Sequence, residues 1–230
     1  MKTNYREEAE LRVREDRPNF EGYKHPLTFR PLKLTDTSIL APVMKKSAPY
    51  IKGYIHWGTY ASKWNFSDVQ SFVSARVHDD FPRFHFLFLI GNQPVAMGSL
   101  APMPSKMDTQ ISLVVFHPHQ GRGIGPVVVK TLEWYAFNVW GFSNLWYQYD
   151  ATNKNSQKLA KKMEFEFVKT FEDQISAEEE SGLWFSHKKP RPEDAPKGIL
   201  QGEDIAFWST PKNPGVLRAI IENRLDDQAS

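Results

Sequence analysis

Val115-Phe116-His117-Pro118-His119-Gln120-Gly121-Arg122-Gly123-Ile124-Gly125 is the stretch on which the reading of this chain turns. A fourth strand, Gln110 to Phe116, leads into it. Val127 to Val139 follows, with Val128, Leu132, Tyr135 and Ala136 on one helical face. Strand, glycine loop and helix thus stand in direct succession. At such a junction the first N–H groups of the helix have no intrahelical partner, and its N-terminus carries partial positive charge. Glycines admit positive φ and let an anion come close to the backbone. Arg122 adds a mobile cation. Alone, the loop reads as a phosphate site or as a tight strand-to-helix connection. A dinucleotide fold needs G-x-G-x-x-G near the start of a βαβ unit, and a Walker loop needs Lys-Ser/Thr after its last glycine; the sequence has neither.

The neighbouring segments extend the pattern. Leu27 to Leu34 reads as an opening strand, with a Thr35-Asp36 stop able to cap a helix. Ser38 to about Tyr60 is helical in part, broken by Pro42, Pro49, Gly53 and Gly58. Ser67-Asp68 starts a helix with Val69, Phe72, Val73 and Val77 on one face. Arg83 to Ile90 reads as a strand buried on both faces, turning at Gly91-Asn92 into Pro94 to Leu100. Leu145 to Tyr149 is a fifth strand, and Asn153 opens a helix to about Met163. Phe165 to Phe171 and Leu183 to His187 read as a closing antiparallel pair around Glu178-Glu179-Glu180. Strands and helices interleaved in this way predict an α+β, mixed α/β, fold around one central sheet. The domain is expected over 27–189, with an N-terminal arm at 1–26 and a C-terminal extension at 190–230 carrying a helix, Val216 to Leu225.

The composition agrees. The 230 residues are 40% apolar and 24% charged, as in a globular protein, and carry no cysteine, which removes disulfides and thiolate chemistry. A net charge of +2 with no basic stripe argues against direct nucleic-acid binding. Phe84 to Ile90 is too short to span a membrane. No signal-peptide pattern follows Met1, so a cytoplasmic enzyme is expected.

A second motif resolves the loop. Asn153-Lys154-Asn155-Ser156 is followed by Leu159, Lys162 and Phe165. Together with Gln120-Gly121-Arg122-Gly123-Ile124-Gly125, this resembles the GCN5-related N-acetyltransferase (GNAT) superfamily. Trp134-Tyr135-Ala136-Phe137 is similar to its Rim branch, the ribosomal-protein N-terminal acetyltransferases. The resemblance is strongest over 110–170, extends to 27–100 through Phe29-Arg30-Pro31-Leu32 and Asp36, and departs at Glu164, where the family has glycine.

The resemblance implies a mostly antiparallel twisted sheet whose fourth and fifth strands splay, flanked by helices. It implies acetyl-CoA as co-substrate, with pantetheine against the backbone of Val114, Val115 and Phe116. The pyrophosphate would lie on Gln120, Gly121, Arg122, Gly123, Ile124 and Gly125, and Asn153 would bond the pantetheine arm. An ordinary helix cap is the alternative for Asn153. Direct attack by a primary amine, on a small molecule or a peptide N-terminus, is implied, with no metal. The family's acid is often a tyrosine seven residues after the motif Asn. Ala160 stands there, which leaves Ser156 as the catalytic candidate, its alternative again a helix cap. The fourth strand offers Gln110 and Ser112 but no carboxylate base, and His117 and His119 read as surface residues flanking a turn. Tyr54, Trp57 and Tyr60, in a cluster with Tyr50, His56 and Trp64, could wall the acceptor pocket, belong to the core, or form a homodimer contact. A CoA-binding sensor without catalysis is the other functional class.

Overall fold

A computed structural model describes residues 27–77, 84–103, 105, 107–173 and 182–193. The apolar run at Phe84 to Ile90 shows how the layers are arranged. Phe86, Phe88 and Ile90 enter one hydrophobic cluster, while Leu87 and Leu89 enter another on the opposite face. A strand with no polar side must be covered twice. Here β2 (Phe84–Ile90) lies between β1 (Leu27–Pro31) and β3 (Gln93–Pro102), antiparallel to both. β4 (Asp108–Val115) continues antiparallel to β3. β5 (Asn144–Asp150) runs parallel to β4. The hairpin of β6 (Glu166–Asp173) and β7 (Gly182–Pro190) closes the sheet, with β7 inserted beside β5, so the order is β1-β2-β3-β4-β5-β7-β6. The α+β fold with a mostly antiparallel sheet is the one expected.

One face carries α1 (Thr37–Ile51), α2 (His56–Tyr60) and α3 (Phe66–Val77). The other carries α4 (Ile124–Trp134) and α5 (Lys154–Lys162), and α4 runs on into a π-helical turn at Tyr135–Val139. α4 reaches the sheet through Gly98 of β3. A Cβ there would lie 3.0 Å from Leu132 and 3.1 Å from Val128, tighter than ordinary contact, so glycine lets the helix sit at this depth without displacing them.

The two prolines do not break α1, contrary to expectation. Pro42 and Pro49 each remove one i→i−4 hydrogen bond, from the carbonyls of Ser38 and Lys45. Both of those residues are exposed, so solvent can take the orphaned acceptors. The buried stripe of Leu40, Met44, Ala48 and Ile51 holds the helix together across both points. The Thr35-Asp36 stop acts through a side chain. Arg30 donates to both carboxylate oxygens of buried Asp36, at 2.7 and 2.6 Å, and the Lys33 N–H donates to the same group at 2.8 Å. The expected arm at 1–26, the Glu178 to Glu180 loop and most of the 190–230 extension lie outside the described residues. No helix among the described residues is long and apolar enough to cross a membrane.

Candidate active site

The chemistry gathers where β4 and β5 part. Their parallel pairing covers Asp108–Ile111 against Asn144–Tyr147 and ends there. β4 continues to Val115 and β5 to Asp150 without pairing to each other. The backbone along the β5 side of β4 is therefore available to a ligand. Which residues present it follows from the ladder. The Phe116 N–H donates to the Val95 carbonyl at 2.9 Å, and antiparallel pairs alternate, so Val114 also directs its polar groups to β3. Leu113 and Val115 face the gap. Of the three residues expected along the pantetheine, Val115 has its backbone on the gap side, while Val114 and Phe116 direct theirs to β3 and bury their side chains under α1–α3.

The loop after β4 is shaped by its own residues. Gln120 turns back, and its Nε2 donates to the Val115 carbonyl at 3.0 Å. Gly121 and Gly123 take φ of 74° and 80°, conformations that strain any side chain. Gly123 is the N-cap of α4, so the N–H groups of Ile124 and Gly125 point out of the first turn without intrahelical partners. Pro126, also in that turn, has no N–H to leave unpaired. Gly125 stands against Leu159 of α5, where a Cβ would come within 3.6 Å. That contact packs the first turn of α4 against the body of α5. Arg122 is exposed on the loop. An anion placed here would meet backbone donors, a helix dipole and a cation.

His119, read as a surface residue, is only 5% exposed. Burial lowers its pKa, and the charges of Arg122, His117 and Lys46 lower it further. It is therefore a buried residue and not a surface one. His117 lies flat on Tyr50, with rings 3.8 Å apart and 5° from parallel, and its N–H donates to Ser47 Oγ at 3.0 Å. Among the described residues no three His, Asp or Glu side chains converge as metal ligands would.

Across the gap, Asn153 caps α5. Its Oδ1 accepts from the Ser156 N–H at 3.1 Å, which leaves the amide Nδ2 as the donor able to reach a ligand. Ser156 is half-buried, and its Oγ accepts from the Tyr147 hydroxyl at 2.9 Å. The Tyr147 phenol is buried, and desolvation pushes its pKa up to about 12, opposed by its bond to Ser156. Sequence reasoning missed Tyr147. Alternation on β5 puts Leu145, Tyr147 and Tyr149 on one face, but does not say that α5 packs on that face.

The aromatic cluster of the early helices divides. Trp57 is core, stacked 6.2 Å from Trp64 and edge-on to Phe72 at 5.5 Å. Tyr54 is exposed, and Tyr60 is half-buried against His56. Of the three residues expected to meet an acceptor, Tyr54 and Tyr60 keep exposed surface and Trp57 does not; Tyr50 and His56 of the same cluster are exposed as well.

Comparison with known proteins agrees with the geometry. Residues 54–165 match the acetyltransferase (GNAT) family, a span that runs from the early helices through both motifs. The chain carries a GNAT acetyltransferase domain. Such a domain takes acetyl-CoA as its co-substrate. No curated protein matches the sequence. Among solved structures the chain is similar to RimL, the ribosomal L7/L12 α-N-protein acetyltransferase, in complex with coenzyme A. The identity is 14% and the TM-score 0.65, over 73% of this chain and 96% of that one. The microcin C7 self-immunity acetyltransferase MccE, with acetyl-CoA and AMP, aligns at 14% identity and TM-score 0.64, over 73% and 93%. Spermidine N-acetyltransferase from Vibrio cholerae, with CoA and spermine, aligns at 11% and 0.58, over 72% and 95%.

Proposed function

We propose that this GNAT domain transfers an acetyl group from acetyl-CoA to a primary amine, on a peptide N-terminus or a small molecule, by direct attack. The observation that carries the reading is the fork: β4 and β5 separate after Ile111 and Tyr147, and the strand that leaves the fork runs directly into the loop of Gly121 and Gly123. A long, narrow substrate with an anionic end fits that shape. Its pyrophosphate takes the N–H groups of the loop and of the first turn of α4, with Arg122 alongside. Its pantetheine arm runs along Leu113 and Val115, and Asn153 Nδ2 bonds it from the opposite wall.

The reaction needs a neutral amine, a donor for the oxyanion and a donor for the departing sulfur. Ser156 stands at the fork and supplies the last. The β4 side of the gap offers no carboxylate; exposed Ser112 and half-buried Gln110 lie on the other face of the strand. Proton removal from the amine therefore passes to water, or the amine arrives neutral. The N-terminal serine of L7/L12 that one neighbour modifies and the spermidine for which another is named set the panel to try: a Ser-initiated peptide and a polyamine.

The test is calorimetric titration with acetyl-CoA, followed by release of CoA thiol in the presence of each amine. Binding with turnover is expected. Arg122→Glu combined with Gly123→Asp places two carboxylates where the pyrophosphate would lie and should abolish binding. Unchanged affinity in that variant would refute the loop assignment. Binding without turnover of any amine would instead favour a CoA sensor, a reading that the buried alanine at Ala160 supports.

A further inference from the structure

Tyr147 occupies a singular place. It is the last β5 residue paired with β4, opposite Ile111, so it stands at the crotch of the fork. Its ring is packed between Tyr149, at 5.0 Å, and Phe165, at 5.8 Å, and its hydroxyl comes 2.9 Å from Ser156 Oγ. A hydroxyl has one proton to give and two lone pairs to receive. Ser156 is then held at two points: its N–H by Asn153 Oδ1 and one lone pair of its Oγ by Tyr147.

We propose that Tyr147 is a positioning residue for Ser156. Its buried O–H occupies the serine oxygen and commits the serine's own proton to the sulfur that departs at the fork. The inference rests on the acetyltransfer reading above. The opposite arrangement, with Ser156 donating to Tyr147, would strand the phenol proton in the core, at the full desolvation cost of an unpaired donor. Burial also raises the phenol's pKa, which keeps that proton in place across the working pH range.

The chemistry balances without a cofactor beyond acetyl-CoA. The amine nitrogen forms the C–N bond, and the C–S bond breaks with its electron pair going to sulfur. Nitrogen loses one proton to water, and the departing sulfur takes one back from water. Ser156 donates a hydrogen bond to sulfur while charge develops there. Serine is too weak an acid to stay deprotonated afterwards, so its orientation matters more than its acidity. Orientation is what Tyr147 supplies.

The test is a double-mutant cycle on the full chain, with kcat and the KM for acetyl-CoA measured on the best acceptor of the panel, and CoA affinity measured by calorimetry. Ser156→Ala should lower kcat on the order of 100-fold, the low end for a lost acid–base group, with CoA affinity retained. Tyr147→Phe keeps the ring and should lower kcat roughly tenfold, as one misdirected hydrogen bond does, again with KM and affinity unchanged. In the Ser156→Ala background, Tyr147→Phe should have no further effect, because it acts only through the serine. A purely structural tyrosine would lower kcat equally in both backgrounds, and that result overturns the proposal. So does a Tyr147→Phe variant with unchanged kcat, or one that loses CoA affinity. If Ser156→Ala itself leaves kcat unchanged, or if no acceptor is turned over, the donor role of Ser156 falls, and the inference falls with it.

Discussion

Glu164 is the one non-glycine among the described residues with a positive φ, 60°. It stands where the resembled motif has glycine, just after α5. The turn it makes is the expected one: the Phe165 N–H reaches back to the Ala160 carbonyl at 3.0 Å, and Phe165 drops into the core. The left-handed conformation costs a side chain on the order of 1 kcal/mol. Burying Phe165, at about 1.5–3 kcal/mol, outweighs that cost. Glu164→Gly should therefore raise the urea midpoint, by up to about 1 kcal/mol in stability, less what the freer unfolded chain takes back. A lower midpoint would show that the glutamate side chain makes a contribution its backbone conformation does not explain. Residue by residue, the glycine loop was legible in the sequence as a strand-to-helix junction, and only its pairing with the Asn153 motif made it a candidate cofactor loop. His119 and Tyr147 were not. Burial of a histidine beneath a loop and the meeting of a strand tyrosine with a helix serine both depend on how elements pack.

At the scale of elements, the strand–loop–helix unit is the firmest part of the reading, and its depth in the fold is the least legible. The apolar periods on either side of the loop announced β4 and α4. They did not show that α4 presses into β3 at Gly98, because a glycine inside a strand also fits a bulge or an edge. Pro42 and Pro49 misled in the opposite sense. A local rule predicted breaks, and the buried stripe of α1 overrode it. The Gly98 contact carries a prediction. A valine there would place its Cβ 3.0 Å from Leu132, 3.1 Å from Val128 and 3.3 Å from Phe88. None of the three can yield without moving core, so Gly98→Val should destabilise by about 1–3 kcal/mol, the usual cost of overpacking. The shift in α4 should also disturb the loop it begins, so acetyl-CoA affinity should fall with stability. Wild-type stability in a denaturant melt would show that the helix can lift from the sheet.

At the scale of the whole molecule, the fork makes two halves of one sheet. β1–β4 form one half and β5–β7 the other. The strands that join them pair only over Asp108–Ile111 and Asn144–Tyr147. Two polar contacts reinforce that joint: Asn144 Nδ2 donates to Asp108 at 2.6 Å, and Lys189 of β7 pairs with Glu133 of α4 at 2.8 Å. All of these lie at the closed end or behind α4. The open end, 112–115 on β4 and 148–150 on β5, has backbone groups that no neighbouring strand across the gap protects. Amide exchange in those segments should be faster than in β2, which is paired on both sides and buried on both faces. A substrate that lies in the fork would bridge the halves. Saturating acetyl-CoA should then slow exchange at 112–115, at 148–150 and through the loop 120–125. It should also raise the melting temperature, with about 2.7 kcal/mol of added stability at a hundredfold excess over Kd. The Arg122→Glu/Gly123→Asp variant should show neither effect. Protection confined to α1–α3, with the open end unchanged, would mean that acetyl-CoA binds the other face of the sheet and that the fork is a structural gap.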